Sequence, residues 1–102
     1  MSDPEKAARI FNVLSSETRV RIIDKLKSRT LCVNAMASAL EISPAAVSQH
    51  LRILRDVDIV TAEKRGQYLH YRVNQNTLNQ WRRTADELLA PDPDTEFMIS
   101  GD

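Results

Sequence analysis

Six residues between Ser43 and Arg55 have the types and spacing to do chemistry: Ser43, Ala45, Ser48, Gln49, Arg52 and Arg55. Ser43-Pro44 is a helix start, a hydroxyl cap followed by proline at the first helical position. A helix from there to about Asp56 advances roughly 100° per residue. Counted from Pro44, the positions Pro44, Arg55, Ser48, Arg52, Ala45, Asp56 and Gln49 fall between roughly 0° and 140°. Ile53, Ala46, Val57, His50, Leu54, Val47 and Leu51 take the opposite arc, roughly 180° to 340°. One side is therefore apolar and suited to a core, and the other faces out. On the outer side Ala45 and Ser48 are small, which lets a helix backbone sit deep in a groove about 12 Å wide. The Gln49 amide can pair with N6 and N7 of adenine, and the two arginines suit phosphates or a guanine. A solvated face that happens to hold two arginines is the alternative reading of the same residues.

A second group follows at Lys64, Arg65, Gln67 and Tyr68, placed around Gly66. A glycine-tipped basic turn can lie along a phosphate backbone or in a minor groove. An ordinary exposed turn, which is commonly polar, remains the alternative. The two groups reinforce each other because both offer donors to the same kind of polyanion.

The elements that must position these groups can be read from periodicity. Pro4 to Leu14 forms a first helix, with Ala7, Ile10, Phe11 and Leu14 at helical spacing and Ala8 and Val13 off that stripe. Ser16 caps a second helix that carries Val20, Ile22, Ile23 and Leu26 and ends near Lys27. A short extended piece, Thr30 to Val33, leads to Asn34, a cap for a third helix through Leu40. About three residues separate that helix from the one starting at Pro44, which is helix-turn-helix spacing. From Ile59 to Arg65 and from Gln67 to Asn74 the period becomes that of strands, with Leu69, Tyr71 and Val73 on one face and Tyr68, His70 and Arg72 on the other. A last helix runs from about Gln75 to Ala90, with Leu78, Trp81, Ala85, Leu88 and Leu89 on one stripe, and Pro91 and Pro93 stop it. The expected architecture is mainly α with a small β-hairpin wing, a winged helix-turn-helix in the order α-α-α-α-β-β-α. Residues 1–90 are expected to form one DNA-binding domain, and residues 91–102 a disordered acidic tail.

Composition narrows the function classes. A chain of 102 residues leaves no length for a second domain. Two glycines leave no place for a phosphate-binding glycine loop, and one cysteine forms neither an internal disulfide nor a multi-thiolate zinc site. No apolar run is long enough to span a membrane and the opening residues are unlike a signal peptide, so a reducing cytoplasm is the expected address. The formal net charge is zero, but Asp92, Asp94, Glu96 and Asp102 lie in a terminal stretch without Lys or Arg. Between Ser43 and Arg83 stand seven Lys or Arg against three Asp or Glu. A mildly basic body with an acidic tail is compatible with a polyanionic partner, and equally with scattered surface charge. Neither a Ser/His/Asp nor a Cys/His constellation stands in a recognisable context, and Ser48 and His50 lie about 200° apart on their helix, so an enzyme is not expected. No cofactor is expected either. His50, in the apolar arc, is expected to pack with a bond to backbone. His70 is expected to face out of the wing, where it could touch a phosphate or remain a surface histidine. Cys32 reads as a small buried hydrophobe at the end of a short strand, or as a thiol that oxidises or links across subunits.

Three stretches carry a resemblance. They are Leu14-Ser15-Ser16-Glu17-Thr18-Arg19-Val20-Arg21-Ile22-Ile23, then Ser43-Pro44-Ala45-Ala46-Val47-Ser48-Gln49-His50-Leu51-Arg52-Ile53-Leu54-Arg55-Asp56, and Glu63-Lys64-Arg65-Gly66-Gln67-Tyr68-Leu69-His70-Tyr71-Arg72-Val73. They resemble, in turn, the second-helix opening, the recognition helix and the wing of the ArsR/SmtB family of bacterial winged-helix repressors. The resemblance extends over about Ala7 to Leu89. It implies a repressor that binds double-stranded operator DNA of two-fold symmetry and is relieved by an effector. It also implies a homodimer built from the first and last helices, for which Phe11, Leu78, Trp81, Ala85 and Leu88 supply the apolar surface; a monomeric core could use the same residues. The family's usual metal ligands are missing. Where its arsenic and cadmium sensors place Cys-Val-Cys, this chain has Cys32-Val33-Asn34, with Ala37 at the place of a third thiolate. Gln75, Thr77, Leu88 and Pro91 stand where its zinc sensors place carboxylates and histidines, and persulfide-responsive relatives need a second cysteine. No metal site is therefore expected, and the effector is left open. A winged helix that serves as a protein-interaction module is the alternative function; it calls for a hydrophobic or acidic face where Ser48, Gln49, Arg52 and Arg55 stand.

Overall fold

A computed structural model describes residues 3–93 of the chain. Most of the expected acidic tail, including Asp94, Glu96 and Asp102, lies outside the described residues. The order is α1 (Pro4–Val13), α2 (Glu17–Ser28), β1 (Leu31–Cys32), α3 (Val33–Leu40), α4 (Pro44–Asp56), β2 (Val60–Arg65), β3 (Tyr68–Val73) and α5 (Gln75–Leu89). This is the winged helix-turn-helix expected from the sequence, with one addition. The short extended piece before α3 joins the hairpin, giving a three-stranded antiparallel sheet in the order β1-β3-β2. Leu31 lies opposite Tyr71 and Cys32 opposite His70.

Local chemistry sets most boundaries. The Asp3 carboxylate accepts from the backbone N–H of Glu5 and Lys6, Ser16 Oγ from Arg19, Ser43 Oγ from Ala46, and Asn74 Oδ1 from Asn76 and Thr77, so four helices begin on side-chain caps. The third does not. Asn34 lies inside α3, whose cap position is Cys32 with no side-chain bond, so the cap read at Asn34 is corrected. There β1 feeds directly into the helix and leaves no residue free to act as a polar cap. The turn between α3 and α4 is made at Glu41, which takes a left-handed conformation at φ 57°. The neighbouring Ile42 N–H closes the turn on the Ala37 carbonyl at 3.1 Å. In the wing, Arg65 pairs with Tyr68, so the hairpin turns in two residues with Gly66 at φ 63°.

The core lies between α2, α3, α4 and the inner face of the sheet. Ile22, Met36, Val47, Leu51, Leu54, Ile59 and Val60 are fully buried, each contributing about 1.5–3 kcal/mol by leaving water. α1 has apolar residues on more than one side: Val13, off the four-residue stripe, joins this core, while Phe11, on it, is exposed. One expectation about faces is corrected: Leu69 does not follow Tyr71 and Val73 inward but is exposed beside the wing tip, where it borders an open groove instead of the core. Ile53, at the margin of the apolar arc of α4, is exposed as well. Outside the main cluster α1 packs on α5, and Ala7 and Ile10 are buried.

Adjacent α4 residues therefore differ sharply in burial. Leu54→Ala should cost about 2–5 kcal/mol and Ile53→Ala less than about 1 kcal/mol, compared by urea unfolding at one protein concentration. Equal losses would contradict this rotation of α4.

Candidate nucleic-acid interface

Helix α4 presents its outer face because its inner one is fixed. Val47, Leu51 and Leu54 are buried, which leaves Ser43, Ala45, Ser48, Gln49, Arg52 and Arg55 all exposed. The Ser43 hydroxyl already accepts from the Ala46 N–H at 3.1 Å, so its free capacity is as a donor. Ser48, Arg52 and Arg55 share an open groove of about 290 Å³ with Leu51, Asp56 and Tyr71. A second groove of about 380 Å³ includes Ser48 again, now with Gln67 and Tyr68 from the wing. Ser48 is thus the junction at which the helix and the wing become one surface. Ala45, Gln49, Lys64 and Arg65 are exposed but line neither groove.

Several lining residues lie outside the set read from the sequence, Leu51 among them. Asn34 and Leu69 line the wing-side groove, Tyr71 lines both, and Asp56 stands beside the two arginines. Cys32 and Val33 also border the wing-side groove. Asn34 could have been found once β1 was paired with β3, since that pairing carries the start of α3 to the base of the wing. Nothing in the periodicity of Asp56 distinguishes it from a solvated acid.

The wing's charge is partly spent within itself. Arg65 Nε donates to Glu63 Oε1 at 2.8 Å. That bond and the Arg65 charge, joined by Arg72 and His70, hold the Glu63 carboxyl below its ordinary value. Lys64 has no ion pair among the described residues. Both histidines depart from expectation. His50 is half-buried, but its Nδ1 is enclosed without a hydrogen-bond partner, so the expected bond to backbone is absent. His70 is half-buried rather than fully out on the wing, and its Nδ1 is likewise enclosed and unpartnered. Cys32 is half-buried. Among the described residues no three His, Cys, Asp or Glu gather in a way that could hold a metal ion. Nor is any described helix long and apolar enough to cross a membrane.

A family model described as a bacterial regulatory protein, arsR family, matches residues 16–62. The chain is 32% identical over 93 residues to a transcriptional repressor SmtB homolog from Synechocystis sp., covering 90% of this chain and 70% of that one. The chain belongs to the ArsR/SmtB family. Solved structures agree with the architecture. A possible transcriptional regulator for arsenical resistance superposes with a TM-score of 0.74 at 33% identity, over 80% of this chain and 85% of that one. An ArsR-like transcriptional regulator from Rhodococcus sp. gives 0.73 at 30% identity, over 82% and 79%. As a member of the family, the chain is a DNA-binding regulator of transcription and not an enzyme.

His50 supplies a test of this surface's inner support. Burial, and then the Arg19 charge from α2, lower its pKa below the ordinary value. The folded state therefore binds a proton less readily than the unfolded state, so stability is lost as pH falls through about 6.5 toward the lowered value. Thermal midpoints measured between about pH 7.5 and 5.5 should fall more for the native chain than for His50→Gln. Glu63, lowered from a carboxylate value, acts only further into acid and cannot mimic this. Parallel curves would overturn the assignment.

Proposed function

We propose that the chain is a homodimeric repressor that reads a palindromic operator with residues 44–56 in the major groove and the wing, residues 63–68, along the backbone or minor groove. The observation that carries this reading is the shared position of Ser48, which joins Arg52 and Arg55 on one side to Gln67 and Tyr68 on the other. Ala45 and Ser48 are small enough for close approach, and Gln49 and Arg52 present amide and guanidinium donors and acceptors to base edges. Ser43 approaches a phosphate at the helix start. Arg55, Lys64 and Arg65 add charge for phosphates. Residues 1–90 act as one DNA-binding and dimerisation unit, and the reducing cytoplasm is its place of work.

The dimer rests on α1 and α5. Phe11, Leu88 and Leu89 are exposed, and Leu78, Trp81 and Ala85 are only half-buried. A 15-residue helix whose sole buried residue is Thr77 presents a large apolar face for a second copy. The effector is one other than the family's metal ions: Asn34, Ala37, Gln75 and Thr77 at the relevant places offer neither thiolate nor imidazole.

Titration against a duplex carrying the chain's own upstream region and against a scrambled duplex, each at two salt concentrations, tests the reading. Specific binding should be at least about a thousandfold tighter than to the scramble. Gln49→Ala and Arg52→Ala should each cost about 1–3 kcal/mol and relax specificity, while Lys64→Ala should weaken both duplexes and reduce the salt slope by about one. Unchanged binding in all three variants would remove this surface from DNA recognition. Failure to bind either duplex at low salt would favour a protein-interaction module. Separately, Leu88→Glu should shift the sedimentation of the native chain from dimer to monomer at a fixed concentration; an unshifted profile would place the subunit contact elsewhere.

A further inference from the structure

At the end of the sheet opposite the wing turn lies an open groove of about 570 Å³. Its walls come from three places in the fold: the link from α2 to β1, the base of the β2–β3 hairpin, and the first turn of α5. Lys27, Arg29 and Arg72 line it together with the hydroxyls of Thr30 and Thr61 and the amide of Asn76, and no carboxylate is among its lining residues. The nearby acids are engaged elsewhere or are weak competitors. Glu63 is bonded to Arg65 at 2.8 Å, and Asp24 reaches Lys27 only at 3.9 Å on an exposed surface. Arg72 makes one long bond, Nε to Thr61 Oγ1 at 3.4 Å, so its guanidinium keeps most of its donors. The start of α5 is not the source of attraction, because Asn74 Oδ1 already accepts from its first free N–H groups.

We infer that this groove is a binding site for a small anion bearing two or more oxyanion groups, held by Lys27, Arg29 and Arg72. Its volume lies within the range of small-ligand sites, roughly 300–1,000 Å³, while its polar lining selects charge over apolar bulk. Two guanidinium forks and one ammonium match phosphate or carboxylate oxygens, and the guanidiniums can do so in bidentate fashion. The groove is also distant from the proposed DNA surface. Thr61 and Arg72 pair four residues down the hairpin from Arg65 and Tyr68, a separation of roughly 14 Å along the strands. A ligand here would touch the wing's base and the start of α5 at once.

The test uses the full chain without DNA, so it is independent of operator recognition. Inorganic pyrophosphate and citrate are titrated by calorimetry at constant ionic strength into the native chain, Arg29→Gln/Arg72→Gln and Arg52→Gln, with circular dichroism confirming equal helix content. Among the described residues Arg29 makes no side-chain bond and Arg72 only the long one, so neither change removes a folding contact of consequence. Binding of either anion that weakens at least about tenfold in the double variant and is unchanged in Arg52→Gln supports the site. Which of the two anions binds then assigns phosphate or carboxylate chemistry. Absence of binding, equal binding in the double variant, or loss in Arg52→Gln would overturn it.

Discussion

Ile59 holds α4, the wing and the last helix in one arrangement. It is fully buried, its N–H donates to the Leu54 carbonyl at 3.1 Å, and its own carbonyl accepts from Asn74 at 2.9 Å. One residue thereby ties the end of α4, the entry to β2 and the cap of α5. The chain reaches this position through Asp58, whose φ of 63° reverses direction within two residues of α4. A β-branched side chain there fits because the space is apolar and the backbone on both sides is already bonded. Longer linkage would let α4 rotate against the wing, and the surface that depends on both would be lost.

From that joint the character of the outer surface follows. Val47, Leu51 and Leu54 face the core at helical spacing, so Ser48, Arg52 and Arg55 must face away from it. Among the described residues neither arginine is held in an ion pair, which leaves both guanidiniums free for an external anion. The wing differs, since Arg65 is held by Glu63 and Lys64 carries the less encumbered charge. Position on α4 also matters. Asp56 stands next to the arginines near the helix C-terminus, where a carboxylate would repel phosphate, so the N-terminal half is better suited to enter a groove.

Much of this was legible in the residues. The α4 arc, the Ser43-Pro44 start, the three-residue turn and the order of elements all follow from period and capping chemistry that act within a few residues. What was not legible depends on distant partners. Cys32 becomes the cap position of α3 only because Leu31 and Cys32 pair with Tyr71 and His70, some forty residues away. Leu69 obeys the strand alternation yet stays exposed, because the period sets direction while depth depends on where the helices end. The enclosed, unpartnered Nδ1 atoms of His50 and His70 have the same origin: burial assembled from several elements, with no local signal in the chain.

The last helix buries fewer residues than any of the other four. A 15-residue segment burying only Thr77 would be marginal in water by itself, since most helical stability comes from packing an amphipathic face. α1 covers part of that face, and Leu78 and Trp81 lean on the core from its first half. Beyond Trp81 the stripe continues through Ala85 to Leu88, which is 48% exposed, and Phe11 on α1 is 37% exposed. Phe11, Leu88 and Leu89 thus leave exposed apolar surface on both α1 and α5. In the proposed dimer a second copy docked there would cover Phe11 and Leu88, and two-fold symmetry would then set the spacing of the two α4 helices. The same joint at Ile59 that ties down the end of α4 also anchors the cap of α5 through the Asn74 N–H.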